Sequence, residues 1–178
     1  MAQFHIRRRL EIDAGHRIAT HASKCRNLHG HRYAIEAVCA AAALHPDGEQ
    51  TDMALDFAFL KEEMVARIDV PCDHGLIVAL SDAALLDLFV PAGLDPAAWR
   101  AGLAERVARD GAALTSETRL ATKLYVVPFH PTAEALARHW FELLEAPVRT
   151  RSAGAARLVA LRVWETPNCM AEYAPDPV

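Results

Sequence analysis

The sequence predicts an α+β domain built on an antiparallel sheet, and three observations carry that expectation. A period-two apolar run opens the chain, a buried-strand run lies near its end, helical stripes of apolar residues lie between them, and the elements follow in the order strand, strand, helix, insertion, helix, strand, strand. At 178 residues the chain suits one domain with a full core, or one domain carrying an insertion.

Phe4, Ile6, Leu10 and Ile12 alternate with charged residues, so the first element is a strand, breached once by Arg8. A second strand follows His31, with Tyr33, Ile35, Ala37 and Cys39 on one face, and stops at the turn signal His45-Pro46-Asp47-Gly48. Asp56 caps a helix whose core stripe is Phe57, Leu60, Met64 and Ile68. A later helix begins near Pro131-Thr132, buries Leu136, Trp140, Leu143 and Leu144, and ends at Pro147. Leu158 to Trp164 reads as a buried strand, Pro167-Asn168 as a turn, and Cys169 to Tyr173 as a short last strand. Additional material separates His74 from His130. Leu85, Leu86 and Phe89 suggest one helix there, Asp95-Pro96 opens another along Trp99, Leu103 and Val107, and Lys123 to Pro128 looks like a strand.

A net charge of -4 argues against a general nucleic-acid binder. No apolar run approaches the ~20 residues that span a bilayer, and no signal-type apolar core follows the N-terminal arginines. Cys25, Cys39, Cys72 and Cys169 are scattered without a C-x-x-C pair, which fits free thiols in a reducing compartment. A cytoplasmic location is expected. The charge is uneven: Ala14 to Ile35 contains no acidic residue but holds Arg17, Lys24, Arg26 and Arg32, which suits an anionic small substrate such as a phosphate ester.

Chemistry concentrates in Cys25-Arg26-Asn27-Leu28-His29-Gly30-His31, preceded by His16. His29 and His31 stand two apart on an extended segment and so share a side. A third imidazole from a neighbouring strand, His16, completes a three-histidine site, which leaves a zinc ion one open position for catalysis. Cys25, flanked by Lys24 and Arg26, is favoured as a thiolate and could serve as nucleophile, base or fourth zinc ligand. In Asp73-His74 a carboxylate beside an imidazole can fix its tautomer for acid–base work. Glu165 follows a buried strand and is either a surface carboxylate or an acceptor for the two parallel N–H donors of a guanidine-like edge.

Together Asp13-Ala-Gly-His16, Cys25-x3-His29-Gly-His31, Leu55-Asp-Phe-x2-Leu-Lys61, Asp73-His74, Pro131-Thr-Ala-Glu134 and Trp164-Glu-Thr166 resemble the 6-pyruvoyl-tetrahydropterin synthase and 6-carboxytetrahydropterin synthase family, in family order across nearly the whole chain. The Cys-x3-HGH spacing resembles the bacterial 6-carboxy branch. The resemblance implies a tunnelling (T-) fold, with a four-stranded antiparallel sheet, two helices on one face and a mainly helical insertion at about 78–128. It implies one Zn2+ on His16, His29 and His31, Cys25 as proton-abstracting base, Asp73 and His74 as the partner acid–base pair, Glu165 as pterin anchor and Thr132 lining the same pocket. It further implies a zinc-dependent lyase that takes 7,8-dihydroneopterin triphosphate to 6-carboxy-5,6,7,8-tetrahydropterin in 7-deazapurine (queuosine) biosynthesis, assembled as a homohexamer of two trimers. The alternatives are a 6-pyruvoyl or side-chain-cleaving product, or a zinc- and pterin-binding protein without catalysis.

Overall fold

The computed structural model describes residues 3–175. Strands β1 (Phe4–His16), β2 (His29–Ala41), β3 (Gly75–Ala79), β4 (Ala113–Thr115), β5 (Leu124–Val127), β6 (Ala156–Thr166) and β7 (Cys169–Tyr173) form a sheet in the order β4-β5-β3-β1-β2-β6-β7. The helices are α1 (Phe57–Met64), α2 (Val70–Cys72), α3 (Ala83–Leu86), α4 (Pro96–Asp110) and α5 (Ala133–Arg151). The α+β class stands, but the expected four-stranded antiparallel sheet is corrected to a seven-stranded mixed one, because β3 runs parallel to both β1 and β5. Parallel neighbours require a crossover, and the segment carrying α3 and α4 supplies it between β3 and β5. The sequence Gly75-Leu-Ile-Val-Ala79 of β3 is a short apolar run without alternation, the pattern of a strand buried on both faces.

The chain divides into two compact units. The first takes in the described residues up to Glu11, Tyr33–Val70, and the described residues from Leu136 onward. Within it β2 pairs antiparallel with β6 from Ala34 opposite Trp164 to Ala41 opposite Ala156, and β6 pairs antiparallel with β7. Both faces of β2 are buried here, Ala34, Val38 and Ala40 as well as the expected Tyr33, Ile35, Ala37 and Cys39. Asp56 caps α1 by accepting from the Ala58 N–H at 2.7 Å. Leu60, Met64 and Ile68 are buried as expected, but Phe57 is 53% exposed and Phe59 is buried instead. Phe57 is the first helical residue, and a helical side chain leans toward the N-terminus, off the end of the stripe.

Pro147 does not end α5; it lies inside the helix, which continues to Arg151. A proline forfeits one backbone bond, yet Leu144 before it and Val148 after it are both fully buried, and that burial carries the helix past the missing bond.

The same helix buries His139, whose pKa burial pushes down to about 4. The unfolded chain, with an ordinary histidine near 6.5, therefore takes up the proton first, and stability falls as pH drops below about 6.5. His139→Phe is expected to remove about 2 kcal/mol of the loss between pH 7.5 and 5. Urea midpoints of both proteins at the two pH values check this, and equal slopes would reject it.

The second unit comprises Ile12–Arg32 and Pro71–Ala135. The end of β1 lies parallel to β3, with Ala14 opposite Gly75 and His16 opposite Ile77; β3 is parallel to β5, and β4 antiparallel to β5. Val78, Leu85, Leu86, Phe89, Leu103, Val107, Leu124 and Val126 form its apolar cluster, with Trp99 packed against it. Asp95 caps α4 through the Ala98 N–H at 2.8 Å, Pro96 occupies its first turn, and Gly111 ends it at φ 79°. These features match the start and stop signals in the sequence.

Candidate metal centre and acid–base pair

His16 is the last residue of β1, and His29 and His31 open β2. Their ring centroids are 4.5, 5.1 and 5.0 Å apart, and one ligand atom from each lies within 4.8 Å of the others. The i, i+2 spacing of the histidines does what strand alternation requires. Gly30 lets its backbone approach that of Ala14, and Gly15 leaves room for the Leu76 side chain. A Cβ on Gly30 would stand 3.0 Å from the Ala14 carbonyl oxygen, and one on Gly15 would meet Leu76 Cδ2 at 2.5 Å.

The donor set fits a divalent metal. The carbonyl of Pro131 lies 2.8 Å from His16 Nδ1, and that of Asn27 lies 2.7 Å from His29 Nδ1. A carbonyl only accepts, so both Nδ1 atoms carry the proton and Nε2 keeps the lone pair that a metal takes. Burial, against the opposing pull of the Pro131 carbonyl, pushes the His16 pKa down to about 4, so that this imidazole is neutral near pH 7.

Cys25 lies half-buried in the 3-10 turn Lys24–Arg26, and its carbonyl accepts from the Ile18 N–H at 2.7 Å, closing the loop that follows His16. Two of the four loop cations are neutralised. Arg17 donates two hydrogen bonds of 2.6 Å to Asp82, and Arg32 donates at 3.1 and 3.0 Å to Asp13. Lys24 and Arg26 are exposed on either side of Cys25.

Asp82 is 5% exposed and also caps α3 through the Leu85 N–H at 3.2 Å. Its hydrogen bonds from Arg17, opposed by burial, hold its carboxyl below the usual carboxylate range. Asp82→Ala would strand a guanidinium that is itself three-quarters covered and remove a helix cap. A loss of about 3 kcal/mol in urea unfolding is expected; a change under about 0.5 kcal/mol, the surface-substitution range, would show the pair to be dispensable.

Asp73 and His74 immediately precede β3. Neighbours on a strand face apart, and the chain resolves this by turning: His74 has φ 52°, a left-handed conformation that costs a non-glycine residue about 1–2 kcal/mol. Its Nδ1 then lies 2.7 Å from Asp73 Oδ2, so the carboxylate fixes the tautomer, and the side chain is 77% exposed. For Asp73, burial is outweighed by the Asp13 N–H and His74, which leave its carboxyl below the ordinary range.

Thr132 stands just before α5 and accepts from the Ala135 N–H at 3.3 Å. These predicted residues fall in the second unit. Glu165 falls in the first, half-buried and one residue before the end of β6. Sequence reasoning passed over Asp13, although it belongs to the quoted Asp-Ala-Gly-His stretch, and over Asp82, whose Ser-Asp-Ala-Ala-Leu-Leu context is a helix-start signal. The Pro131 and Asn27 carbonyls carry no residue identity and had no signal to find.

Fold and cluster define the class: an α+β protein with three imidazoles that could hold one metal ion and, in the same unit, a hydrogen-bonded Asp–His pair. The family model described as 6-pyruvoyl tetrahydropterin synthase matches residues 5–176, and the chain belongs to that family. Curated relatives include the 6-carboxy-5,6,7,8-tetrahydropterin synthases of Rickettsia felis, 31% identical over 93% of this chain and 96% of that protein, and of Haemophilus influenzae, 28% identical over 96% and 98%. Among solved structures, an uncharacterized protein from Wolinella succinogenes superposes with a TM-score of 0.72 at 20% identity, covering 99% of this chain and 100% of that one. The 6-pyruvoyl tetrahydropterin synthase of Caenorhabditis elegans gives 0.59 at 20% identity, covering 99% and 98%. These structures share the fold.

Proposed function

We propose that the chain is a zinc-dependent lyase that converts 7,8-dihydroneopterin triphosphate and water into 6-carboxy-5,6,7,8-tetrahydropterin, acetaldehyde and triphosphate. The observation that carries this reading is the three-imidazole cluster sharing one unit with Cys25 and the Asp73–His74 pair. The naming of the curated relatives supports the product.

His16, His29 and His31 would hold the zinc, which when bound supplies Lewis-acid polarisation of the substrate's side-chain hydroxyl oxygens. The Cys25 thiolate removes a carbon-bound proton from that side chain, and the exposed Lys24 and Arg26 on either side of it draw the triphosphate. His74, carrying a proton on each ring nitrogen with its Nδ1–H held by Asp73, delivers the Nε2 proton on the other face. Glu165 accepts two parallel N–H bonds from the 2-amino-pyrimidinone edge of the pterin, and Thr132 is a further substrate-binding residue. In this reading residues 78–128 are an insertion in a single T-fold domain, and the protein works in the cytoplasm as a homohexamer. Among the described residues no helix is long and apolar enough to cross a membrane.

A second reading, with 6-pyruvoyl-tetrahydropterin as product, draws on the name of the matching family model. Mass spectrometry of products from zinc-loaded protein and 7,8-dihydroneopterin triphosphate decides between them. A 6-carboxytetrahydropterin peak with acetaldehyde supports the main reading, a 6-pyruvoyl product supports the second, and unchanged substrate rejects both.

A further inference from the structure

The Asp73–His74 pair is strained and exposed, so something must hold it, and one residue does so from both sides. The Asp13 N–H donates to Asp73 Oδ1 at 2.8 Å, and the Asp13 carbonyl accepts the His74 N–H at 2.7 Å. The peptide groups flanking a single β1 residue thus grip both members of the pair, including the backbone of the residue at φ 52°. The Asp13 side chain is held in turn from the next strand, where Arg32 Nε and Nη2 donate to its two oxygens at 3.1 and 3.0 Å. Arg32 directly follows His31.

We infer that Arg32 and Asp13 are positioning residues for the Asp73–His74 pair, tying the acid–base group to the strand that presents two of the three clustered histidines. This rests on the reading of His74 as a proton donor. A bidentate guanidinium–carboxylate pair is directional and fixes both partners in one geometry. Asp13 also stands within electrostatic reach of the pair: Arg32 holds its carboxyl below the ordinary range ahead of the opposing effect of burial, His74 lowers it further, and Asp73 raises it. With the Asp13 side chain released, β1 keeps its main-chain hydrogen bonds to Asp73 and His74 but loses the cross-strand tie, and a misplacement of about 1 Å can cost a reaction about 10²-fold in rate.

The test is a double-mutant cycle on the zinc-loaded protein with Arg32→Ala, Asp13→Ala and the two combined. Each single variant is expected to lower kcat by about tenfold at unchanged KM and zinc content, and the double to be no slower than either, because both remove one tie. Arg32→Lys, which keeps the charge and loses the fork, is expected to recover only part of the loss. As a readout apart from turnover, the 15N shifts of the His74 ring at fixed pH report the share of the Nδ1–H form, which falls in both single variants. An Arg32→Ala variant with raised KM and unaltered kcat overturns the inference and makes Arg32 a substrate contact, as do independent, multiplying losses. His74→Gln separates the two levels. If it turns over like the parent, the acid–base reading itself fails; if it is inactive while the Arg32 and Asp13 variants match the parent, only the positioning role fails.

Discussion

Cys25→Ala is expected to lower turnover of 7,8-dihydroneopterin triphosphate by about 10²–10⁴-fold, the span that a positioned proton-transfer group supplies. The same variant is expected to keep one zinc per chain and, since Cys25 is only half-buried, to lose less than about 1 kcal/mol of stability. Zinc content and rate together separate a metal ligand from a reacting group and from a residue the reaction does not need. A variant that loses both zinc and rate makes Cys25 a fourth ligand, which closes the metal site and ends the enzymatic reading. A variant with parental rate places the base elsewhere. Loss of rate at full zinc content leaves Cys25 as the group that takes the proton.

Why the metal cluster was legible in the sequence follows from what strands do. Alternation alone puts His29 and His31 on one side, while the close approach at Gly30, where a Cβ would stand 3.0 Å from the Ala14 oxygen, is seen only in the structure. Helix ends were legible for a similar reason: Asp56 and Asp95 cap where side-chain chemistry demands a cap. The misses have a common cause as well. The pairing of β3 with β1 and β5 and the continuation of α5 past Pro147 are settled by tertiary contacts, which local pattern does not encode. Arg17 and Asp82 are 65 positions apart, and the grip of Asp13 on Asp73 and His74 uses main-chain atoms, so neither leaves a trace in spacing.

His29→Ala carries the other large effect. His29 is half-buried, its Nδ1 is committed to the Asn27 carbonyl, and its remaining nitrogen belongs to a cluster of three. Removing a group that merely orients a ligand weakens metal affinity by about 10–100-fold, so removing a ligand outright is expected to exceed that range and leave well under one zinc per chain after dialysis. A ligand that binds only the folded state stabilises it by RT ln(1 + [L]/Kd), about 4 kcal/mol at a thousandfold excess over Kd. Added zinc should therefore raise the melting temperature of the parent protein and leave that of His29→Ala almost unmoved, and turnover should vanish with the metal. A chelator applied to the parent protein should reproduce the variant's melting temperature and inactivity, and restored zinc should reverse the effect in the parent alone. If His29→Ala instead retains one zinc per chain and the full thermal gain, the three imidazoles are not the metal site. The Pro131 and Asn27 carbonyls would then be orienting His16 and His29 for some other partner.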